Sequence, residues 1–480
     1  MQNDTNEDRD LLMEESEFTN LDWTTNDERM DMATENLFQS LTFKTPKNRE
    51  DARNNLKRHL RAVLIVFSRL AQFDPSQSLA YPRNNNIGTS SYKGNYQPYN
   101  PFNYNFKKIR EVLDALEIHG FVKCEVGKQD YFKGKYQGRV SRYIMLESLM
   151  DYLSRYELSD IQYAKKLLNG GIVIKKSVPG RKSKIVIKDY SSIIEPEDVA
   201  ESKRFLTQYN ELISTADIAI THQESERPVN LRNCYTTRIF QDEGFTLDGR
   251  FYGGWWMQCE KNDRWYIAIN NEQTVECDFR SNHLYLFYGL NGEAIPENLR
   301  SDPYEISELY PRALIKLLIT RYFNCAGEYG IINHIRSARG GFTDEKEKSL
   351  QLIREYLPDD KVCREVMDII FSSHPILRTA TDYQWGLRLM NWDSKVALYV
   401  LQTMTDEGIP VLGIHDSFIV QRSSHERLKA CMAQAYTYLD IPLAKPPMHT
   451  TYGHAHRNQE GLAVAYNIAN PRYQRINPTQ

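Results

Sequence analysis

The chain has 480 residues, of which 41% are apolar and 11% aromatic, enough to form the cores of about two to four domains. Its seven cysteines form no CxxC pair and have no histidine at zinc spacing, which argues against a disulfide framework and a structural zinc site. No apolar run of transmembrane length and no signal-peptide pattern is visible, so we expect a cytoplasmic protein that does not bind membranes.

The net charge of -3 conceals an uneven distribution of charge along the chain. The first 40 residues contain twelve Asp or Glu against only Arg9 and Arg29, so the rest of the chain is basic. This acidic leader has no sustained periodicity, and we expect residues 1–45 to be disordered. It either screens a nucleic-acid site or serves as a solubilising tail.

Two helices are predicted after the leader. Apolar residues at helical spacing, with basic residues between them, predict a basic amphipathic helix over 51–73. A second helix is predicted over 105–118 and ends at Gly120. Alternating residues then predict strands over 121–126 and 140–146, which flank a loop rich in Lys and Gly.

This order of helices and a basic-tipped hairpin resembles a winged helix-turn-helix. We therefore interpret residues 46–160 as a winged-helix-like domain that binds nucleic acid. In that family the tip of the hairpin touches phosphate, so the resemblance implies DNA contacts for Lys133, Lys135 and Arg139. The alternative is a module used only for packing or for binding protein.

Residues 161–222 are predicted to form a basic hairpin and a helical linker. The hairpin has strands over 172–176 and 184–188 and carries six cations, including Lys182, which makes it a candidate clamp for nucleic-acid backbone. A solvated edge guarded by lysine is the alternative. A helix predicted over 196–214 follows.

Two aspartates in the second half of the chain stand at predicted strand ends. Strands over 411–414 and 418–420 flank a turn that presents Asp416, and a strand over 274–279 delivers Asp278. Carboxylates from one sheet can share two metal ions about 3.5–4 Å apart, as two-metal phosphoryl transfer requires. For either aspartate alone, a turn residue or a helix cap would be the better interpretation.

These motifs resemble the palm that family A DNA polymerases share with single-subunit phage-type RNA polymerases. Residues 278–283 resemble motif A and residues 414–418 resemble motif C, while residues 312–316 between them have the Arg-x-x-x-Lys spacing of motif B. Residues 246–252 resemble the Thr-x-x-Gly-Arg element that lies upstream in the family. The resemblance implies an α+β fold, with a palm built on an antiparallel sheet and helical fingers over 223–480. In such a polymerase the hairpin and linker over 161–222 would do the work of the thumb.

The resemblance also implies the catalytic residues. Asp278 and Asp416 would hold two Mg²⁺ ions, with Mn²⁺ as a possible substitute. Arg312 and Lys316 would neutralise the triphosphate of the incoming nucleotide, and Lys316 would donate a proton to the departing pyrophosphate.

Five further residues are predicted to bind nucleotide or template. Arg250 would contact template or primer backbone, and His415 would lie beside the primer terminus. Tyr252 belongs to an aromatic cluster that either stacks on bases or fills a core. The family has an aromatic residue eight positions after the motif B lysine, where this chain has Asn324, and Tyr322 lies two positions earlier.

His283 bears on the choice of sugar. It occupies the position where the DNA enzymes have a glutamate that excludes the ribose 2′-hydroxyl and the RNA enzymes have glycine, and it has the bulk to act as a gate. The Asp416-Ser417 pair instead has the pattern of the RNA enzymes, since the DNA enzymes usually have glutamate after the aspartate. The sugar preference therefore stays open and leans towards deoxynucleotides.

The sequence thus predicts a template-directed nucleotidyltransferase. The favoured hypothesis is a compact DNA polymerase that uses a DNA template, a primer and nucleoside triphosphates to replicate a mobile element, plasmid or phage. No acidic-cluster exonuclease domain is visible, so we expect no proofreading. One alternative is a single-subunit RNA polymerase or primase, and another is a DNA-binding replication initiator or regulator with an inactive palm. Oligomeric state is not indicated.

Overall fold

The structure is a computed structural model that describes residues 16–18, 23–44, 50–73, 78–81, 83, 102, 104–127, 129–132, 135–138, 141–161, 163–176, 185–187, 193–221, 233–341 and 347–453. The chain divides into two compact units. One comprises Met1–Gly170, Lys176–Lys188 and Tyr466–Gln480, and the other comprises Gly171–Lys175 and Asp189–Ala465. Helices and largely antiparallel sheets make the fold α+β, as predicted. No helix in the described ranges is long and apolar enough to cross a membrane.

The described helices are α1 (Glu28–Ser40), α2 (Glu50–Phe73), α3 (Phe106–Ile118), α4 (Glu147–Arg155), α5 (Glu197–Thr215), α6 (Asn282–Leu290), α7 (Arg312–Tyr322), α8 (Gly327–Arg339), α9 (Glu347–Tyr356), α10 (Asp360–Ser373), α11 (Trp385–Asp406) and α12 (His425–Tyr438). The described strands are β1 (Ser16–Phe18), β2 (Trp23–Thr24), β3 (Ser78–Ala80), β4 (Val122–Glu125), β5 (Gln129–Phe132), β6 (Lys135–Gly138), β7 (Arg142–Met145), β8 (Ala164–Lys165), β9 (Ile172–Lys176), β10 (Ile185–Ile187), β11 (Ile218–Ile220), β12 (Thr237–Phe240), β13 (Asp248–Tyr252), β14 (Ile267–Ile269), β15 (Glu272–Phe279), β16 (Val411–Ile414), β17 (Ser417–Gln421) and β18 (Met448–Tyr452).

In the first unit, α1 lies within the leader that was expected to be disordered over residues 1–45. Asp27 caps the helix by accepting a hydrogen bond from the Arg29 backbone, and Met30 and Phe38 are fully buried on its apolar face. The acidic Glu35 on the other face lies between cations of α2. The expectation of disorder is therefore wrong for Glu28–Ser40, because local composition did not show that α2 supplies the opposite charges.

The remaining predictions for this unit are met in part. Helices α2 and α3 form where periodicity placed them, and β4 pairs antiparallel with β7 as the predicted hairpin. The sheet order is β1-β3-β7-β4, and β3 was not predicted. The winged-helix assignment stays a prediction. Lys133, Arg139 and Lys182, together with the side chain of Lys135, lie outside the described residues.

The second unit is built on a sheet of order β11-β14-β15-β17-β16, in which β18 also pairs with β15. The β14–β15 hairpin turns through Asn270 and Asn271, both of which have positive φ (49° and 60°), a conformation that asparagine tolerates well. Cys277 is fully buried, on the opposite pleat of β15 from Asp278, as predicted.

Helix α5 belongs to this second unit and does not form a separate linker with the hairpin over 161–222. It belongs to the unit because its apolar face is buried against the sheet. Tyr209 of α5 is almost completely buried and its hydroxyl donates a hydrogen bond of 2.8 Å to the carbonyl oxygen of Val411 on β16. In the same unit β12 pairs in parallel with β9 and antiparallel with β13.

A buried arginine ties these elements together. Arg238 of β12 is fully buried and its guanidinium donates to the Gly249 carbonyl (2.9 Å), to the Ser202 hydroxyl (2.7 Å) and to the Ser394 hydroxyl (3.1 Å). These partners lie on β13, α5 and α11. Gly249 has a φ of +89°, and a Cβ there would lie 2.9 Å from the Ser394 hydroxyl, so this position requires glycine.

Candidate active site

Asp278 and Asp416 lie side by side at one end of the β15–β17 pair. In the antiparallel register, Asp278 is opposite Ser417. The backbone N–H of Phe279 donates a hydrogen bond of 3.1 Å to the backbone carbonyl of Asp416. The structure therefore brings the backbones of the two predicted aspartates to adjacent positions at one end of the sheet, although the two residues are far apart along the chain.

The turn that carries Asp416 has a constrained backbone. His415 has a φ of 61°, a region that few residues other than glycine adopt. Its ring contacts Tyr252 edge-on, with the ring centroids 5.4 Å apart, and in the described structure its buried Nδ1 has no hydrogen-bond partner. The β16–β17 hairpin and the β13 strand thus place Tyr252 against His415, the residue that precedes Asp416.

The electrostatics of Asp416 show a shortage of positive charge. Burial, followed by the charge of Asp393, raises the pKa of Asp416 to about 7, and the nearby charge of Asp278 acts in the same direction. Arg250 opposes this shift but does not cancel it. A carboxyl in this position is favoured as an anion when a cation binds next to it.

The donor set fits Mg²⁺ carried by a nucleotide better than a metal held by protein ligands alone. Within the described ranges, no group of three or more His, Cys, Asp or Glu side chains could hold a metal. Mg²⁺ is usually bound by one or two carboxylates together with water and substrate phosphates, and it keeps an octahedral shell. If Mg²⁺ binds here, Asp278 and Asp416 are the residues that would supply the two carboxylates.

Sequence patterns did not identify His449 as a residue of the site. It lies on β18, directly opposite Asp278 in the register of the β15–β18 pair, and its Nδ1 is 3.4 Å from Asp278 Oδ1. The side chain of Asp278 is 42% exposed, so the carboxylate is reachable from solvent. The only signal in the sequence was the strand-like composition around His449, which says nothing about the partner strand.

Arg250 lies in a buried ion pair. Its Nε donates to Asp393 Oδ2 (2.7 Å), and its terminal nitrogen lies 2.6 Å from the same oxygen and 3.0 Å from His283 Nε2. Only 12% of the Arg250 side chain and 1% of the Asp393 side chain are exposed. The predicted contact of Arg250 with nucleic-acid backbone therefore needs revision, because most of its donors are already used inside the protein.

His283 lies at the start of α6, next to Arg250. Burial, together with the charge of Arg250, lowers the pKa of His283 to about 4, although Asp393 acts in the opposite direction. The imidazole is neutral near pH 7, so its Nε2 can accept the hydrogen bond from Arg250. A bulky neutral ring therefore follows β15, the strand that carries Asp278.

The cations predicted for motif B are exposed on α7. The Arg312 guanidinium lies 5.3 Å, and the Lys316 amine 5.9 Å, from the centroid of the Tyr304 ring. Arg312 also pairs with Asp302. Burial raises the pKa of Tyr304 to about 12; the charges of Asp302 and Asp416 act in the same direction and that of Arg312 opposes them, so Tyr304 is within electrostatic range of both Arg312 and Asp416.

The aromatic residues divide between the core and the site. Tyr322 is buried and packs edge-on against Phe371, with centroids 5.3 Å apart, so it has no face on which a base could stack. The assignment of Tyr322 to nucleotide binding is not supported by this position. Trp255 and Trp256 are fully buried in the core, while Tyr252 remains half-buried against His415.

Comparison with known proteins gives little further information. No protein-family model matches the chain, and no curated protein matches it. Among solved structures, the chain is similar to the POL domain of Pol1 from M. smegmatis in complex with DNA primer-template and dNTP, at 12% sequence identity and a TM-score of 0.27. The match covers 53% of this chain and 51% of that chain, so this chain spans about half the length of the structure it matches. A TM-score of this size does not establish a shared fold.

Proposed function

We propose that this chain is a template-directed nucleotidyltransferase, and specifically a compact DNA polymerase without proofreading. The observation that supports the proposal is the hydrogen bond of 3.1 Å between the Phe279 N–H and the Asp416 carbonyl, which joins the backbone next to Asp278 to that of Asp416, near enough for the charge of Asp278 to act on the Asp416 carboxyl. Two adjacent carboxylates, one reachable from solvent, are what a site for metal-assisted phosphoryl transfer needs.

The chemistry follows from the charges around the two aspartates. Mg²⁺, when bound, would activate the attacking 3′-hydroxyl of the primer and stabilise charge on the departing pyrophosphate. Asp278 and Asp416 would hold the ions, and the pKa of Asp416, raised chiefly by burial, would fall on binding because a cation offsets the unfavourable charge.

The α7 helix supplies the other half of the site. Arg312 and Lys316 are one helical turn apart on an exposed face of α7, so both can reach a triphosphate at the same time. Lys316 would give a proton to pyrophosphate as it leaves. Arg312 would exchange its partner Asp302 for phosphate oxygens, with which guanidinium forms bidentate hydrogen bonds.

The substrates we propose are a DNA template, a primer and deoxynucleoside triphosphates. The half-buried, neutral ring of His283 at the start of α6 has the position and bulk to oppose a ribose 2′-hydroxyl. A compact polymerase of this kind suits replication of a mobile element, plasmid or phage. The N-terminal winged-helix-like module and the basic hairpin would bind DNA.

One observation favours a second candidate, a single-subunit RNA polymerase or primase. Ser417, which follows Asp416, donates a hydrogen bond of 2.5 Å to Glu276 Oε1, so it is engaged in the sheet at the position where the DNA enzymes usually have glutamate. The Asp-Ser pair is the pattern of the RNA enzymes. A direct comparison of deoxynucleotide and ribonucleotide incorporation decides between the two candidates.

Primer extension on a single-stranded DNA template, with Mg²⁺ and each nucleotide set in turn, tests the proposal. We expect deoxynucleotide-dependent extension that disappears in Asp278→Asn and Asp416→Asn. Glu272→Gln is the matched control, because Glu272 lies on the same strand, roughly 20 Å from Asp278, and bonds to Ser423 and Gln421 instead. Lack of extension by the wild-type protein with either nucleotide set would leave the DNA-binding initiator or regulator as the better explanation.

A further inference from the structure

Asp393 is a buried carboxylate on α11 that the mechanism above does not use. Its Oδ2 accepts the hydrogen bond of 2.7 Å from Arg250 Nε, and its Oδ1 accepts one of 2.7 Å from Asn282 Nδ2. Arg250 belongs to β13 and Asn282 is the first residue of α6. A single side chain therefore connects the upstream Gly-Arg element to the helix that follows motif A.

The connections continue on both sides of Asp393. Asn282 Oδ1 accepts a hydrogen bond of 2.6 Å from the hydroxyl of the buried Tyr436 on α12, which fixes the orientation of the Asn282 amide. On the other side, the terminal nitrogen of Arg250 lies 3.0 Å from His283 Nε2, while Asp393 Oδ2 is 4.0 Å from that same atom. Arg250, not Asp393, is thus the group that contacts the His283 ring directly.

A buried ion pair of this kind fixes position more than it adds stability. Removing two charges from water is costly, and the attraction between them often does no more than offset that cost. Removing only Asp393 would leave the guanidinium of Arg250 buried next to the neutral His283 and close to the carboxyl of Asp416. The guanidinium would then turn towards Asp416 or towards solvent, and His283 would lose its hydrogen-bond donor.

We propose that Asp393 is a positioning residue that orients Arg250 and, through Arg250, holds the His283 ring against the sugar of the incoming nucleotide. This inference rests on the proposed function, since it assigns the discrimination between deoxyribose and ribose to the contact of His283 with Arg250. Asp393 itself touches no substrate. Its loss should change the choice of sugar more than the rate with the preferred nucleotide.

The test compares kcat/KM for a ribonucleotide and its matching deoxynucleotide opposite the same template base. In Asp393→Ala the ratio of ribonucleotide to deoxynucleotide incorporation should rise about tenfold, which corresponds to ~1.4 kcal/mol. In Asp393→Asn the amide oxygen can still accept from Arg250, so the rise should be smaller. Melting temperatures measured on the same samples report any general loss of stability.

Met404→Ala is the matched control, because Met404 is fully buried on the same helix at roughly 16 Å from Asp393. It should lower the melting temperature without changing the sugar ratio. An unchanged ratio in Asp393→Ala, or an equal rise in Met404→Ala, would overturn the inference while leaving the polymerase proposal intact. If Asp393→Ala does not fold, Asp393→Leu takes its place, because leucine fills a similar volume and has no atom that accepts from Arg250, and a wild-type ratio in Asp393→Leu has the same meaning. A wild-type protein that extends no primer would overturn the proposed function and this inference with it.

Discussion

Two acidic side chains in different units of the molecule have opposite electrostatic surroundings. Glu35 on α1 lies 2.6 Å from the Lys57 amine and 3.1 Å from an Arg53 nitrogen, and the hydrogen bond from Lys57 is the main cause that lowers its pKa to about 2. Burial and two neighbouring carboxylates instead raise the pKa of Asp416. Glu35 thus has cations of the fold beside it, whereas Asp416 has too little positive charge nearby to offset its burial and the neighbouring carboxylates.

The same contrast applies to the cations. In the first unit, Arg53 and Lys57 of α2 pair with Glu35, and Arg61 pairs with Asp31 at 2.5 Å. These residues made α2 look like a basic surface in the sequence, but they serve to join α1 to α2. In the second unit Lys316 is exposed on α7. The charges of α1 and α2 are thus largely balanced within the fold, whereas a ligand would balance the charges of the proposed site.

The largest effect is expected at the aspartates. Asp278→Asn and Asp416→Asn should each lower primer extension by at least about 10³-fold, because several kcal/mol of charge stabilisation by the metal ions is lost. Extension rates at saturating Mg²⁺, with Glu272→Gln as control, measure this. A reduction of less than tenfold in either variant would contradict the assignment of that residue.

Replacing the lysine of α7 should have the next largest effect. Lys316→Ala should lower kcat by about 10²-fold or more, since under the proposed function it would remove both a proton donor and a triphosphate contact. Single-nucleotide incorporation rates measured over a range of pH give the comparison. Lys361→Ala is the control, because Lys361 is also an exposed helical lysine of the second unit. Equal rates in the two variants would show that Lys316 is only a surface residue.

The structure explains which of these residues the sequence could identify. The strands around Asp278 and Asp416 follow from alternating apolar residues and from turn-forming residues such as Asn270 and Asn271. Their pairing does not follow from periodicity, because a strand pattern does not name its partner strand. The resemblance to the palm motifs supplied that pairing.

The residues that were missed share one property. His449 and Asp393 lie in segments whose local pattern predicts only a strand or a helix, and their partners are far away along the chain. Helix α1 was missed for the same reason, since its acids look unfavourable until the cations of α2 are placed beside them. Acidic composition and missing periodicity therefore gave the wrong prediction for Glu28–Ser40, and the resemblance gave an incomplete one for Arg250.

The pH dependence of stability should distinguish the two acids. Because the folded-state pKa of Asp416 is raised above its ordinary value of 3.8 to about 7, its contribution is most favourable at low pH and is lost as the pH rises through about 7. In protein treated with EDTA, Asp416→Asn should therefore be more stable than wild type at pH 8, by about 2–4 kcal/mol, and nearly equal to it at pH 4. Urea unfolding at both pH values measures the difference. A variant less stable than wild type at pH 8 would contradict this.

A smaller and opposite effect is expected at Glu35. Its pKa is lowered from 4.5 to about 2, so its stabilising contribution is present above pH 4.5 and is lost as the pH falls towards 2. Glu35→Gln should lower the melting temperature slightly at pH 7, and the difference from wild type should shrink below pH 4.5. High salt should reduce the effect, since the ion pairs are exposed. Melting curves of Glu35→Gln that match wild type at pH 7 and low salt would show that the ion pairs of Glu35 do not stabilise the fold.

The most direct test of the account is Mn²⁺ binding, measured by electron paramagnetic resonance on the protein with primer-template and a non-hydrolysable deoxynucleoside triphosphate. We expect that Asp278→Asn and Asp416→Asn each weaken binding of the same ions, while Glu272→Gln binds them like wild type. If either aspartate variant keeps the full complement of Mn²⁺ at wild-type affinity, Asp278 and Asp416 do not share metal ions and the central claim is wrong.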